Sequence, residues 1–202
     1  MEYVETLDQL LAIYGAPVPT SLTKVADHLT PQYRRWIESS KFCILSTVGA
    51  AGTDATPRGD DGPVVRIVDS KRLLLPDWAG NNRVDSLRNL LEDNRASLMF
   101  FHAGANNVVR LNGTCRITAD SATCALFAKK GQLPRTVLVF DLHEVYFQCA
   151  KALMRSRLWG GEAVADLPTA GDFLREMTEG AEGGAAYDTA YAARARSQFW
   201  TR

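Results

Sequence analysis

The sequence predicts a mainly β protein of α+β type, an antiparallel barrel with helices at its periphery. Three observations carry this. Strand-like runs follow one another from Phe42 to Gln148 with few helices between them. Turn-forming pairs and glycines separate the runs at short intervals. Helical patterns fill the first 40 residues and recur beyond Ala150, with few helices between the strands. Six or more strands in such succession are best served by a closed barrel, which removes exposed edges.

In chain order, Leu7, Leu10, Leu11 and Tyr14 fall on one helical face, and Gly15 to Pro19 breaks the run. Thr30-Pro31 places a capping residue before a proline at the first helical position, with Tyr33, Trp36 and Ile37 as the apolar stripe. Phe42 to Val48 and Thr53 to Arg58 pair across the Ala50-Ala51-Gly52 turn. Val64 to Val68 and Arg72 to Leu75 flank Asp69-Ser70. After Pro76 comes a Gly-Asn-Asn-Arg loop, with Asn82 or Asn81 as the expected cap of a helix carrying Val84, Leu87, Leu90 and Leu91. Ser97 to His102, Val108 to Thr118 and Thr136 to Gln148 complete the strands. The last has Val137, Val139, Val145 and Phe147 on one face, interrupted by Asp141 and His143. Either a bulge or a wet barrel mouth accounts for that interruption. Ser121 to Lys130 reads as a helix capped by Ser121 and ended by Gly131. Ala150 to Trp159, Ala170 to Thr178 and a segment from Tyr187 onward are further helices. The expected organisation is a helical extension over 1–40, the barrel over 41–160, and a C-terminal helical extension over 161–202 packed on the barrel, all in one domain.

Composition narrows the function. The 202 residues are 46% hydrophobic and 23% charged, with 23 basic and 23 acidic residues, so no global field favours nucleic acid or an anionic membrane. No apolar run reaches the roughly 20 residues that span a bilayer. The N-terminus lacks the pattern of a signal peptide, so a cytoplasmic location is expected. Cys43, Cys115, Cys124 and Cys149 form no CxxC pair, and three of the four lie in strand-like segments where a buried, inert thiol is expected. His28, His102 and His143 show no metal-ligand spacing, and no GxSxG elbow marks a nucleophile. His102 and His143 read as structural.

The most informative stretch is Leu73 to Phe101, LLLPDWAGNNRVDSLRNLLEDNRASLMFF. Its loop precedes a helix, where free backbone N–H groups and the positive dipole end attract anions. Arg83 and Arg88 add charge and bidentate geometry suited to phosphate. Upstream stands FCILSTVGAAGTDATPRGD; downstream stand VVRLNGTCRIT and CAKALMRSRLW.

Together, in this order, these motifs resemble the pyridoxamine 5'-phosphate oxidase-like family of FMN-binding split barrels, in a branch marked by PRGD, PDxxGNNRxDSLRN and KAxxRSxLW. The resemblance runs from about Phe42 to Trp159. It implies a six-stranded split barrel that binds flavin mononucleotide (FMN) and transfers hydride through flavin N5, to or from a small substrate or from a nicotinamide donor. It maps the ring and ribityl contacts onto Thr56, Pro57, Arg58 and Gly59, and the ring-lining strand end onto Pro76 and Asp77. Asp77 is an unfavourable neighbour for a reduced flavin anion and suits the ring N3–H instead. The phosphate grip maps onto Asn82 and Arg83. Asn82 departs from the family's two consecutive cations, so Arg88 or Arg58 is expected to complete the charge. Family members are usually homodimers with FMN between subunits, which assigns Arg110, Asn112, Lys151, Arg155, Ser156 and Trp159 to the second subunit's share. The tail YAARARSQFWTR lacks the terminal arginine- and histidine-bearing motif of authentic pyridoxamine phosphate oxidases, so the family name does not carry that activity over. Three alternatives stay open: a non-catalytic flavin-binding protein, the same barrel holding haem or a deazaflavin, and a partner-binding module in which the loop is incidental. Haem is disfavoured by the three histidines, whereas the KALMRSRLW cluster leaves a deazaflavin open.

Overall fold

The computed structural model describes residues 1–162 and 164–200. Three helices open the chain: α1 (Leu7–Tyr14), α2 (Pro19–Thr23) and α3 (Pro31–Ser39). The strands follow as β1 (Phe42–Gly49), β2 (Gly52–Gly59), β3 (Arg66–Ile67) and β4 (Arg72–Asp77). Helix α4 (Asp85–Glu92) then leads to β5 (Arg95–Phe101) and β6 (Val108–Thr118), and α5 (Ser121–Ala125) to β7 (Thr136–Gln148). Helices α6 (Lys151–Ser156), α7 (Ala170–Met177) and α8 (Ala185–Gln198) end the described chain.

One antiparallel sheet runs in the order β2-β1-β5-β6-β7-β4-β3. It has seven strands where the family resemblance implied six; the expected Val64 to Val68 run contributes only the two-residue edge strand Arg66–Ile67. The sheet curls so far that β2, one edge, meets β4 near the other through an Arg58–Asp77 ion pair. No backbone ladder joins these two strands, so the barrel is split along that line.

The interior is filled by alternate residues of the curled sheet, among them Cys43, Leu45, Leu73, Leu75, Leu98, Phe100, Leu111, Leu138 and Phe140. Helix α3 closes one side: Thr30 caps it by accepting from the Tyr33 N–H, and Ile37 is fully buried with Tyr33 and Trp36 packed beside the core. His102 is tied to the end of that helix. Its Nε2 lies 3.0 Å from the Trp36 carbonyl oxygen and 3.0 Å from the Ser40 hydroxyl. A second, smaller cluster of Leu74, Val137 and Cys124, with Val139 and Phe127, lies outside the barrel under α5. Strand β4 is therefore buried on both faces, which explains its unbroken LLLP run.

Strand β7 resolves the interrupted face. Its register with β6 slips between Asn112 and Gly113, so that Asn112 faces Glu144 but Gly113 faces Leu142 and His143 is the extra residue. The bulge reverses the side-chain alternation. Val137 and Val139 belong to the outer cluster, and Val145 to the barrel interior. The single face expected from the sequence is thus divided between two cores, and His143 is exposed at the bulge.

Other expectations shift at element ends. Neither Asn81 nor Asn82 caps α4: Val84 holds the N-cap position with no side-chain hydrogen bond, because Asn82 adopts a left-handed φ of 62° and the loop runs on before the helix begins. Asp120, not Ser121, caps α5, accepting from the Thr123 N–H, and the helix ends at Ala125, well short of Gly131. Helix α6 stops at Ser156 because Arg157 turns left-handed at φ 50°. Helix α8 begins at Ala185, two residues before Tyr187, after Gly183 and Gly184 turn the chain at positive φ. Cys43 and Cys115 are buried in strands and Cys124 on α5, whereas Cys149, just past the end of β7, is exposed rather than buried. Among the described residues, no helix is long and apolar enough to cross a membrane.

Candidate functional site

The register of the β1–β2 hairpin decides what β2 contributes. Arg58 faces Cys43, Thr56 faces Leu45 and Asp54 faces Thr47, and all three β1 partners are buried. Residues directly opposite in an antiparallel pair project to the same side, so Asp54, Thr56 and Arg58 look into the curl of the sheet. On β4 the inward positions Leu73 and Leu75 are followed by Asp77, which pairs in register with Thr136 of β7. Arg58, Asp77 and Thr136 therefore form a polar rim where the apolar interior ends.

Beyond the rim opens a cavity of about 470 Å³. Its wall comprises the inward face of β2, the loop from Trp78 to Val84, the first turn of α4 and the start of β7. Its size falls in the range that takes a cofactor or a small ligand. Thr56, Pro57, Arg58, Asp77, Asn82 and Arg83, six of the positions singled out from sequence, meet in this wall. Gly59 and Pro76 line a smaller neighbouring cavity of about 160 Å³ that shares Pro57, Arg58 and Trp78 with the first.

Arg88 stands exposed on α4 outside the wall. The additional cation in the wall is Arg135, which the sequence reading missed. Its backbone N–H donates to the Asp77 carbonyl at 3.1 Å, and its Nη1 donates to Asn82 Oδ1 at 2.6 Å. Trp78, Asp54, Ser86 and Thr136 were also missed. Only the pairing of β4 with β7, distant in sequence, brings Arg135 and Thr136 here; the aromatic ring inside the PDWAGNNR motif was the one local signal for Trp78.

Arg110, Lys151, Arg155, Ser156 and Trp159 lie outside this cavity wall of their own chain, and Asn112 lines a separate, more open cavity with Ser97 and His143. The Arg110 guanidinium sits 5.3 Å from the centre of the Tyr146 ring. Asn112 accepts from Ser97 and donates to Glu144, each at 2.6 Å. Trp159 Nε1 donates to the Ala105 carbonyl at 2.7 Å, and the Ser156 hydroxyl donates to the Leu153 carbonyl at 3.1 Å.

The electrostatics of the cavity are balanced. Arg58, Arg83 and Arg135 face Asp54, Asp77 and Asp85. Arg58 pairs with Asp77, both side chains being less than one-fifth exposed. Arg83 Nε contacts Asp85 at 2.5 Å, but that pair is largely open to water, at 79% and 40% exposure. An exposed pair is worth little and exchanges readily, so Arg83 can turn to an incoming anion while Arg58 stays held. The α4 N-terminus in the wall has no side-chain cap, which leaves backbone N–H groups for the same anion. Three buried polar atoms around the rim have no hydrogen-bond partner: Arg58 Nε, Trp78 Nε1 and Thr136 Oγ1. Buried donors left unpaired are costly and mark places where a ligand can complete them. A phosphorylated, planar, hydrogen-bonding group such as FMN fits this donor set.

A curled antiparallel barrel with a polar-rimmed cavity at its split defines the class. The sequence profile of the family described as pyridoxamine 5'-phosphate oxidase matches residues 29–149, more than half of the chain, and the protein belongs to that family. No curated protein matches the chain. Several solved structures are similar to it. A putative pyridoxamine 5'-phosphate oxidase from Lactobacillus delbrueckii is 18% identical, covering 60% of this chain and 95% of that one, with a TM-score of 0.49. HupZ from Group A Streptococcus is 17% identical over 58% of this chain and 91% of that one, with a TM-score of 0.47. An FMN-binding protein from Syntrophomonas wolfei is 14% identical over 57% and 83%, with a TM-score of 0.44.

Proposed function

We propose that the protein binds FMN in the cavity at the barrel's split and acts as an FMN-dependent oxidoreductase on a small substrate. The observation that carries this reading is the convergence of Thr56, Pro57, Arg58, Asp77, Asn82 and Arg83 in one cavity wall, in a chain of this family. Arg83, Arg135, Asn82 and the uncapped start of α4 would hold the phosphate. Thr56, Pro57, Arg58, Asp77 and Thr136 would meet the ring and ribityl chain. Bound there, the flavin would supply hydride transfer through N5. The protein's own residues then have three tasks. The Arg58–Asp77 pair keeps a fixed donor and acceptor at the rim, the exposed Arg83 neutralises phosphate, and the apolar interior below the rim keeps water from the inner end.

The proposed assembly is a homodimer in which the partner's Lys151, the partner's Arg155 and the partner's Trp159 complete the site. The partner's Arg110, the partner's Asn112 and the partner's Ser156 belong to the same contribution. The exposed tryptophan and leucine at the end of the α6 segment, Trp159 and Leu158, support a role in contact.

The decisive experiment is the absorbance spectrum of the purified protein and of the ligand released on denaturation. Flavin bands and released FMN support the reading. A colourless protein that takes up no added FMN overturns it. Flavin without turnover of NADH or NADPH in the presence of acceptors assigns a flavin-binding rather than a catalytic role. Arg83→Ala should weaken FMN binding about tenfold or more, as loss of a charged phosphate contact does. The melting temperature should stay close to that of the parent protein, since the exposed Arg83–Asp85 pair contributes little.

A further inference from the structure

Helix α4 is held against the β1–β2 hairpin largely by polar side chains. Ser86, Asn89 and Glu92 recur every third residue and so lie along one side of the helix. Ser86 Oγ donates to the Asp54 carboxylate, Asn89 Nδ2 donates to Thr47 Oγ1 at 3.1 Å, and the Ala50 N–H donates to Glu92 Oε2 at 2.7 Å. Thr47 and Asp54 stand opposite each other in the β1–β2 ladder, so the first two bonds land on one cross-strand pair. Ser86, Asn89 and Thr47 are all buried. The approach is close: a Cβ on Gly49 would lie 2.5 Å from Asn89 Oδ1. Apolar contact of α4 with the barrel interior comes from Leu87 and Leu90, while Leu91 is exposed.

Two leucines give attraction without a fixed register, since apolar contact has no direction. Hydrogen bonds act over a narrow range of distance and angle. A slip of one residue would break all three and leave buried polar groups unpaired. The three bonds therefore set both the rotation of α4 and its position along the hairpin. That position decides how far the loop carrying Asn82 and Arg83, and the uncapped first turn of α4, stand from Thr56 and Arg58 across the cavity. Neither Thr47 nor Asn89 lines that cavity, so any influence they have on a ligand there passes through the helix. We propose that Thr47 and Asn89 are positioning residues. They lock α4 to the hairpin and hold its N-terminal end at the spacing from β2 that a phosphate-bearing ligand needs. The identity of that ligand as FMN rests on the reading above; the lock does not.

The test combines Thr47→Val with Asn89→Leu, replacing both polar partners by apolar groups of similar shape, a change that is nearly neutral for stability. FMN and riboflavin are titrated against flavin-free protein, with thermal melting and hydrogen exchange of the same samples. The melting temperature should stay close to the parent's. FMN should bind about tenfold more weakly, the worth of one misplaced charged contact. Riboflavin, which lacks the phosphate, should bind as before. Exchange should quicken in the loop before α4 and in its first turn, and stay as it was in β1 and β2. Thr47→Ser, which keeps the hydroxyl, should retain the parental preference for FMN. A parental FMN-to-riboflavin ratio in the double variant would overturn the proposal, and so would an equal loss of both ligands, the mark of general damage. If the double variant does not fold, Thr47→Val alone removes the hydroxyl with its shape kept, and the same ratio decides. If the parent protein binds neither flavin, the proposed function falls, while hydrogen exchange of flavin-free protein still decides the lock: unchanged exchange at α4 overturns it.

Discussion

The Arg58–Asp77 pair is the side-chain link across the split of the barrel, and removing one partner tests how much that link contributes. Both side chains are largely buried, at 19% and 15% exposure. In Asp77→Leu the guanidinium of Arg58 stays at the rim without its carboxylate, and its Nε already lacks a partner. Breaking a fully buried pair from one side costs about 3–5 kcal/mol. Residual solvent at this rim screens part of that, which leaves roughly 2–3 kcal/mol. For a chain of this length the melting temperature should fall by roughly 5–10 °C. Arg58→Met should cost a comparable amount by stranding Asp77. The double variant, which removes both charges, should lose less than the sum of the two. The assay is urea or thermal unfolding of flavin-free protein followed by circular dichroism at one protein concentration, arranged as a double-mutant cycle. A coupling energy of about 1 kcal/mol or more is expected. Additivity within about 0.5 kcal/mol would refute the claim that this pair ties β2 to β4.

Three further outcomes follow from the structure. Burial pushes the Cys43 and Cys115 thiols up to about 12, so both stay protonated near pH 8. With Cys124 also buried, mass spectrometry after brief iodoacetamide treatment of the folded protein at that pH should find the label on Cys149 alone. Gly113→Ala should be among the most damaging single changes, because its Cβ would lie 2.1 Å from the Asp141 carbonyl oxygen within the β6–β7 ladder. Overpacking against backbone should cost about 3 kcal/mol or more, read as loss of soluble yield or of denaturation midpoint. Arg83→Ala, by contrast, should separate binding from folding, with FMN titration and thermal melting as its paired readouts.

Much of the architecture was legible because hydrophobic alternation and turn chemistry are local. The β1–β2 hairpin follows from the run after Lys41 and the Ala50-Ala51-Gly52 turn, and β7 spans the predicted Thr136 to Gln148. Thr30-Pro31 starts α3 as a cap and a proline should. The cavity at the split was half legible: five of the six expected wall residues lie in the PRGD and PDWAGNNR segments, each a short run of sequence, and Thr56 directly precedes the first.

The misreadings have a common cause. Asn82 was a sound capping residue in isolation, but its left-handed backbone and its bond from Arg135 use it as a loop corner instead. Val137, Val139 and Val145 do share an alternation in sequence, yet the bulge at His143 sends them into different cores.

By itself, then, the sequence determined the strands, most of the turns and the arginine-bearing loop, because each depends on neighbours a few residues away. The tertiary structure alone decided three things. It set the parity of β7 on either side of its bulge, closed the barrel's split through Arg58 and Asp77, and delivered Arg135 and Thr136 to the rim. These rest on strand register and on contacts between segments far apart in the chain, and no local pattern encodes which distant residue will stand opposite.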